Sequence, residues 1–444
     1  MRDLSATNLT ANSKSLERPP LLKLVLTKTS QTTRTYDISS STNRIINLSH
    51  IEQEHSQIAH VAIQSDATLA ALSLEGYTAT LSYGYNDGTA GDEYSAVAPL
   101  EVMAQASNTV LSGRQARIIT YFICAGVFDL MSAEMAQARY SQEDDDTKTI
   151  KDLLTAIAEA TLAPFTHCKA YTITFDSEDS LIDTYIPADY FYVAAGESRL
   201  SAFTKLIKKA KCRARIENTA GVATIHVFNP TVSGTTYDYE YNDTVTNHNF
   251  FEKGVRKRLV LPNYVTVQSH PSHAAANQYS GYATDADSYA ALGRYVRSEP
   301  YYIRATSNAQ CTAIAAAILQ NKQVESERGH GFAPMNCGQE VMDYIKITDS
   351  IAADTRTGNI GYILRQYTPG KKFSMEFRFG KLAGELPFMS MVDPTTGGIS
   401  FEALMALEQA MQERLEAAVV MLLSIDTVPK WHVTKELRIP EAYN

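Results

Sequence analysis

Ten histidines, five cysteines and a few carboxylate runs are the groups in this 444-residue chain that could do chemistry. His270 and His273 lie three apart, and His330 lies close to Cys337 in sequence. These are zinc-ligand types, but no CxxC or HExxH spacing presets a site, and loop histidines are ordinarily solvated or hydrogen-bonded. His50, His55 and His60 recur every five residues. A helix spreads that spacing around its surface and a strand alternates it, so neither makes a ligand face. Glu143 to Asp146 sets four carboxylates in a row without the Gly and spaced ligands of a calcium loop, which reads as a solvated linker. Asp349-Ser350 follows a strand pattern, where a catalytic carboxylate can sit, and is read as a turn. No GxxxxGK[ST] and no GxSxG occurs. The expectation is therefore no catalytic residue, no metal site and no cofactor.

Bulk properties narrow the function classes. Length predicts two to four domains, and 44% hydrophobic with 20% charged residues is globular. A net charge of −9 argues against a nucleic-acid binder that works by neutralising phosphates, but not against a wall past which DNA slides. Cys124, Cys168, Cys212, Cys311 and Cys337 are scattered, which predicts reduced, mostly buried thiols and assembly in a cytoplasm. Met1 to Pro20 is polar, unlike a signal peptide. The longest charge-free apolar run, Ala417 to Ile425, is too short to span a bilayer. Lys205 to Arg215 is the most basic stretch; it is read as a solvated helix face, with DNA or an acidic partner as the other possibility.

The elements that must position these groups are mostly strands. Leu22, Leu24 and Leu26 alternate, as do Ala59, Val61 and Ile63, and Tyr77 through Tyr85. Asp87-Gly88 marks a turn, and further strands start at Leu100 and run from Arg114 to Cys124. Phe128 to Arg139 and Thr149 to Leu162 read as helices, the second with a stripe of Ile150, Leu153, Leu154, Ile157 and Ala158. Strands near Tyr171 to Phe175 and Tyr190 to Ala194, a helix capped by Ser198, and a hairpin turning at Gly221 suggest a small α/β unit. Arg256 to Gln268 is read as the start of a second barrel, Gln278 to Tyr295 as a long loop, and Ser307 to about Glu327 as a helix covering that barrel. Val341 to Thr348 and the hairpin Asn359 to Tyr367, Pro369-Gly370, Lys372 to Phe379 complete it. In the last strand Phe373, Met375, Phe377 and Phe379 face one way, and Lys372, Ser374, Glu376 and Arg378 the other. After a Pro- and Gly-bearing linker, Ser400 caps a helix to Ser424. Its Leu404, Leu407, Met411, Leu415, Ala418 and Leu422 form a near coiled-coil seam, packed either on its own domain or on symmetry mates.

The runs GFAPMNCGQEVMDYIKITDS and GNIGYILRQYTPGKKFSMEFRFG resemble the second barrel of phage tail-tip hub proteins, the group related to the baseplate hub of contractile-tailed phages. LEGYTATLSYGYNDG resembles their first barrel. FDSEDSLIDTY with GESRLSAFTKLIKKAKCRARIE resembles the small domain between the barrels. The resemblance implies an α+β chain: a flexible arm at 1–20, a first antiparallel β-barrel at 21–127 and a helical connector at 128–165. A small α/β domain at 166–232, a second barrel at 233–382 and a linker, helix and tail at 383–444 follow. It also implies a non-enzymatic virion protein, a homotrimer presenting six near-equivalent modules, which adapts a six-fold tail tube to a three-fold tip and lines the DNA channel. Implied partners are copies of itself, the tail tube or distal tail protein, and a tip or fibre protein or the tape-measure C-terminus. The trimer contact is expected at Leu404 to Leu422. Two other classes stay open: a carbohydrate-binding or adhesin-like tail protein using Tyr-rich loops (25 Tyr against one Trp), and a cell-wall hydrolase.

Overall fold

Alternation does what a two-residue period must: Leu22, Leu24, Leu26, Tyr77, Ala79, Leu81, Tyr83 and Tyr85 are all buried. The computed structural model describes residues 2, 4–5, 20–40, 43–65, 72–86, 91–112, 115–143, 146–243, 248, 250, 252–256, 259–269, 278–326, 328–370 and 373–380. All of these fall within one compact unit, 1–382. The helix expected at Ser400 to Ser424, with Leu404, Leu407, Met411, Leu415, Ala418 and Leu422, lies outside them, as do Asp87-Gly88, His270, His273, Asp144 and Asp145.

In chain order the first strands are β1 (Pro20–Thr27), β2 (Arg34–Asp37), β3 (Ile45–Gln53), β4 (Ser56–Ser65), β5 (Thr78–Asn86), β6 (Asp92–Ala96), β7 (Leu100–Ser112) and β8 (Gln115–Ala125). Next come α1 (Val127–Ala133), β9 (Tyr140–Ser141), α2 (Ile150–Ala158), β10 (Thr172–Phe175), α3 (Leu181–Thr184), β11 (Tyr192–Val193), α4 (Arg199–Ile207), β12 (Arg213–Thr219) and β13 (Val222–Phe228). Then follow β14 (Tyr239–Asn242), β15 (Glu252–Arg256), β16 (Tyr264–Ser269), β17 (Ser280–Thr284), α5 (Ala286–Leu292), β18 (Tyr301–Ile303) and α6 (Asn308–Ser326). The last are β19 (Arg328–Pro334), β20 (Tyr344–Asp349), β21 (Asp354–Tyr367) and β22 (Ser374–Phe379).

Fourteen strands share one sheet, ordered β15-β19-β22-β21-β3-β4-β8-β7-β5-β1-β2, with β6 on β5, β20 on β21 and β14 on β20. Its ladders are antiparallel except β14–β20. Where the sequence predicts two barrels, the strands of both stretches are thus continuous. They join where β21 pairs β3, from Tyr362↔Gln53 to Tyr367↔Leu48. The pattern on either side of this junction repeats. β7-β8-β4-β3 are the third, fourth, second and first of their set in chain order, and β21-β22-β19-β15 stand in the same order. Both third strands are long and bulged, β7 between Val102 and Ala104 and β21 between Ile360 and Tyr362. The first residues of β7 pair β5, and those of β21 pair β20. The rest of β21 pairs β3, whereas the rest of β7 has no partner on that side among the described residues. The outer edge of β15 is likewise unpaired among them.

A second core holds α1, α2, α4, β10-β13-β12 and a three-stranded sheet β17-β16-β18. α2 starts with a capping box, Thr149 and Asp152, and buries its whole stripe. Ser198 caps α4, and Gly221, at φ +87°, turns the β12–β13 hairpin. Four expectations change. The helix expected at Phe128 to Arg139 ends at Ala133, where Glu134 turns extended. Residues 278–295 are not a loop: they hold β17 and α5, the helix capped by Asp285 on the Ser288 N–H. Residues 264–269 join this small sheet rather than the large one. α6 covers β16 and β17, and its Cys311, Ile314, Ala315 and Leu319 belong to the second core; only Val324 reaches the first. Packing distance is the reason. A Cβ on Gly281 would lie 2.3 Å from the Thr312 backbone nitrogen, so only a glycine lets α6 lie on β17.

Candidate functional site

The groups that could do chemistry gather at the joint where β3 meets β21 and where the second core meets the large sheet. His50 and Arg365 face one another in register, both fully buried. Arg365 donates from Nη1 to Glu52 Oε2 at 2.5 Å and from Nη2 to the Gln339 carbonyl at 2.7 Å. Its guanidinium lies 4.9 Å from the Tyr83 ring centroid. Tyr83 Oη is 2.8 Å from His50 Nδ1, and Gln57 Nε2 donates to Glu52 Oε1 at 3.2 Å and sits 3.3 Å from His50 Nε2. Burial lowers the His50 pKa to about 4. Burial alone would raise Glu52, but Arg365 and His50 bring it to about 2. A second buried imidazole, His248, is also lowered to about 4 by burial; Nε2 donates to the Pro334 carbonyl at 3.0 Å, leaving Nδ1 for the Tyr239 hydroxyl at 2.8 Å.

The lysines Lys205 and Lys208 of the basic stretch 205–215 are exposed, as expected of a solvated helix face, whereas Arg213 and Arg215 are used internally. Lys205 pairs with Glu197 at 2.7 Å, and Arg213 with Glu54 across the joint at 2.5 Å. Arg215 reaches Glu217 at 2.7 Å, Asp343 at 3.1 Å and Glu340 at 3.3 Å. Asp343, buried just before β20, also accepts from Gln339 Nε2 and the Glu340 N–H. A cavity of about 30 Å³, room for a water molecule, lies among Arg2, Glu52, Glu54, Gln57, Arg215 and Glu340. Desolvation of Lys209, with Lys205 nearby, brings its ammonium down to about 8.

This arrangement binds parts together. Its carboxylates face guanidiniums rather than a nucleophile, and no described set of three or more His, Cys, Asp and Glu could hold a metal. His60 lies exposed on β4 and His55 packs edge-on against Phe128, so the five-residue spacing makes no shared face. Asp349 closes a turn by accepting the Ala352 N–H and pairs with Lys253. Four of the five thiols are buried and none is in a disulfide. No described helix is long and apolar enough to cross a membrane.

Two surfaces stand out. The outward side of β7 and β8 exposes Met103, Tyr121 and Ile123, next to the open β7 edge. The outward side of β16–β17 carries stacked phenols: Tyr264 on Tyr282 at 5.0 Å, Tyr289 on Tyr295 at 4.3 Å, and Arg297 over Tyr264 at 4.7 Å. Tyr282 was not readable as a strand residue, because its inward neighbours are as small as Gly281 and Ala283.

The two imidazoles set a pH prediction. Below pH 6.5 the unfolded chain takes up protons that folded His50 and His248 refuse until about pH 4. Stability therefore falls through that window, by up to about 1.4 kcal/mol per pH unit per histidine. Glu52 adds a further loss between 4.5 and 2, since its folded pKa is depressed. Urea unfolding at pH 7, 5.5 and 4.5 measures the slope; a flat profile would mean that the imidazoles are solvated.

No family model matches the chain, and no curated protein matches it by sequence. Among solved structures, the tail protein from Neisseria meningitidis MC58 is similar, with TM-score 0.53 and 10% identity over 81% of this chain and 96% of that one. The 43 kDa tail protein of prophage MuSo2 from Shewanella oneidensis gives TM-score 0.49 at 11% identity, over 81% and 98%. Prophage tail protein gp18 from Listeria monocytogenes EGD-e gives 0.48 at 9%, over 81% and 95%. The likeness to the Neisseria protein shows that this chain has the fold of a tail protein.

Proposed function

We propose that the chain is a structural tail-tip hub: three copies close into a ring that joins a six-fold tube to a three-fold tip and surrounds the DNA path. The observation that carries this is the repeated strand order on either side of the β3–β21 junction. Within one chain, the first strand of one set (β3) pairs the third strand of the other (β21). The open edges, β15 and the later part of β7, are again a first and a third strand, and their directions suit an antiparallel pair. Repeating the junction between copies closes the edges, as a rotational assembly requires. Three copies then supply 24 strands in six near-equivalent sets. The exposed Met103, Tyr121 and Ile123 would be covered there. On the other outward positions Glu376 and Arg378 neutralise each other at 2.8 Å, which suits a wall that does not hold DNA. The tail tube and a tip protein are the partners this position implies. The seam at Leu404 to Leu422 is a second trimer contact in the same reading.

The test is solution mass. The full chain is expected as a trimer. Proline at Ala106 and at Ser107 should act differently, because adjacent β7 N–H groups point to opposite sides: one substitution weakens the β8 ladder, the other gives a folded monomer. A full chain that is monomeric at high concentration, or trimers from both variants, would refute edge pairing. The exposed Tyr282, Tyr289 and Tyr295 favour a second reading, an aromatic carbohydrate-binding surface. Loss of cell-wall glycan binding in Tyr282→Ala would support it.

A further inference from the structure

We infer that the segment bearing Arg2 is a detachable strap that locks the second core against the large sheet. The Arg2 N–H donates to the Gly338 carbonyl at 2.8 Å, and its Nη2 donates to the Cys337 carbonyl at 2.6 Å. Leu4 packs on the large-sheet core, and the Ser5 hydroxyl donates to Glu93 of β6. Arg2, Leu4 and Ser5 belong to no helix or strand, so no ladder holds them. The stretch that Arg2 binds also carries Glu340 and Asp343, the two carboxylates that Arg215 of β12 reaches from the second core. Strap, second core and large sheet therefore meet on one short stretch, around the cavity.

Charge makes the strap matter. Arg215 from β12, Arg2 from the N-terminal segment and Asp343 from its own stretch act on Glu340, and Glu52 of β3 and Glu54 just beyond it line the same cavity. Burial raises the Glu340 carboxyl; Arg215 and Arg2 oppose that. The joint holds Arg2, Arg213, Arg215 and Arg365 against Glu52, Glu54, Glu217, Glu340 and Asp343. Without Arg2, three guanidiniums face Glu52, Glu54, Glu217 and Asp343, and Glu340, which burial raises to about 7, loses one of the cations that hold it ionised, so its pairing with Arg215 across the joint weakens. The strap thus sets how tightly the small body is seated, whatever the oligomeric state.

Amide hydrogen exchange on the full chain tests this. In Arg2→Gln, exchange at 338–343 and 213–217 should rise about tenfold, while β4 stays unchanged. Adding Glu340→Gln removes the surplus carboxylate and should return exchange to the wild-type rate; loss of a merely structural contact would not be rescued in this way. Unchanged exchange in Arg2→Gln, an equal rise in β4, or no rescue overturns the inference. So does failure of Arg2→Gln to fold, since a strap that the fold cannot spare is not detachable.

Discussion

Replacing Arg365 with methionine should remove about 3–5 kcal/mol of stability, a large part of what a compact unit usually has. Arg365 is fully buried, and its loss leaves Glu52 charged and unpaired beside an imidazole that burial keeps neutral. The Gln339 carbonyl also loses its donor, and the Tyr83 ring its cation. The cost comes from the group left behind more than from the bond removed. Adding Glu52→Gln should therefore recover much of it, since a neutral amide can still bond Gln57. Urea midpoints of the single and double variants measure this. If Arg365→Met alone costs under about 1 kcal/mol, water reaches the joint and the pair acts as a surface salt bridge.

Gly281→Ala should cost about 3 kcal/mol, the upper end for overpacking. The added methyl meets three atoms within 2.7 Å, the Thr312 nitrogen, the Thr312 hydroxyl oxygen and the Cys311 carbonyl carbon, and two of them are backbone. α6 must lift from β17, uncovering Cys311, Ile314 and Ala315. Gly293→Ala provides the contrast: nothing lies within 4 Å of its added methyl, and its only strain is a φ of +65°. Thermal unfolding should show a much smaller shift for it.

What was legible in the sequence follows from the same packing. The hairpin ending in Phe373, Met375, Phe377 and Phe379 was readable because each inward position is large and apolar. The strand β3 was not, because His50 and Glu52 point inward; a polar inward face looks like no strand at all until Arg365, far along the chain, is seen to meet it. β17 stayed hidden for the opposite reason, since its inward Gly281 and Ala283 carry too little apolar signal. The basic stretch 205–215 was legible as charge but not as purpose. Its arginines point to Glu54, Glu340 and Asp343, distant carboxylates that no local pattern connects to them. The expected likeness to tail proteins was met at the level of the fold, which is mostly sheet with both expected barrel stretches in one continuous sheet, while Leu404 to Leu422 lie outside the described residues.

The β3–β21 junction also dictates a history for each molecule. Glu52 and Arg365 are 313 positions apart. At about 5–20 residues per second, a ribosome takes roughly 15–60 s to deliver the second after the first. During that interval β3 offers bare amide and carbonyl groups, with an acid beside them, to any neighbouring nascent chain. Polysomes crowded on one message would bring such edges together, so production of this protein should depend on holdase chaperones and slow initiation more than on the strength of the finished sheet.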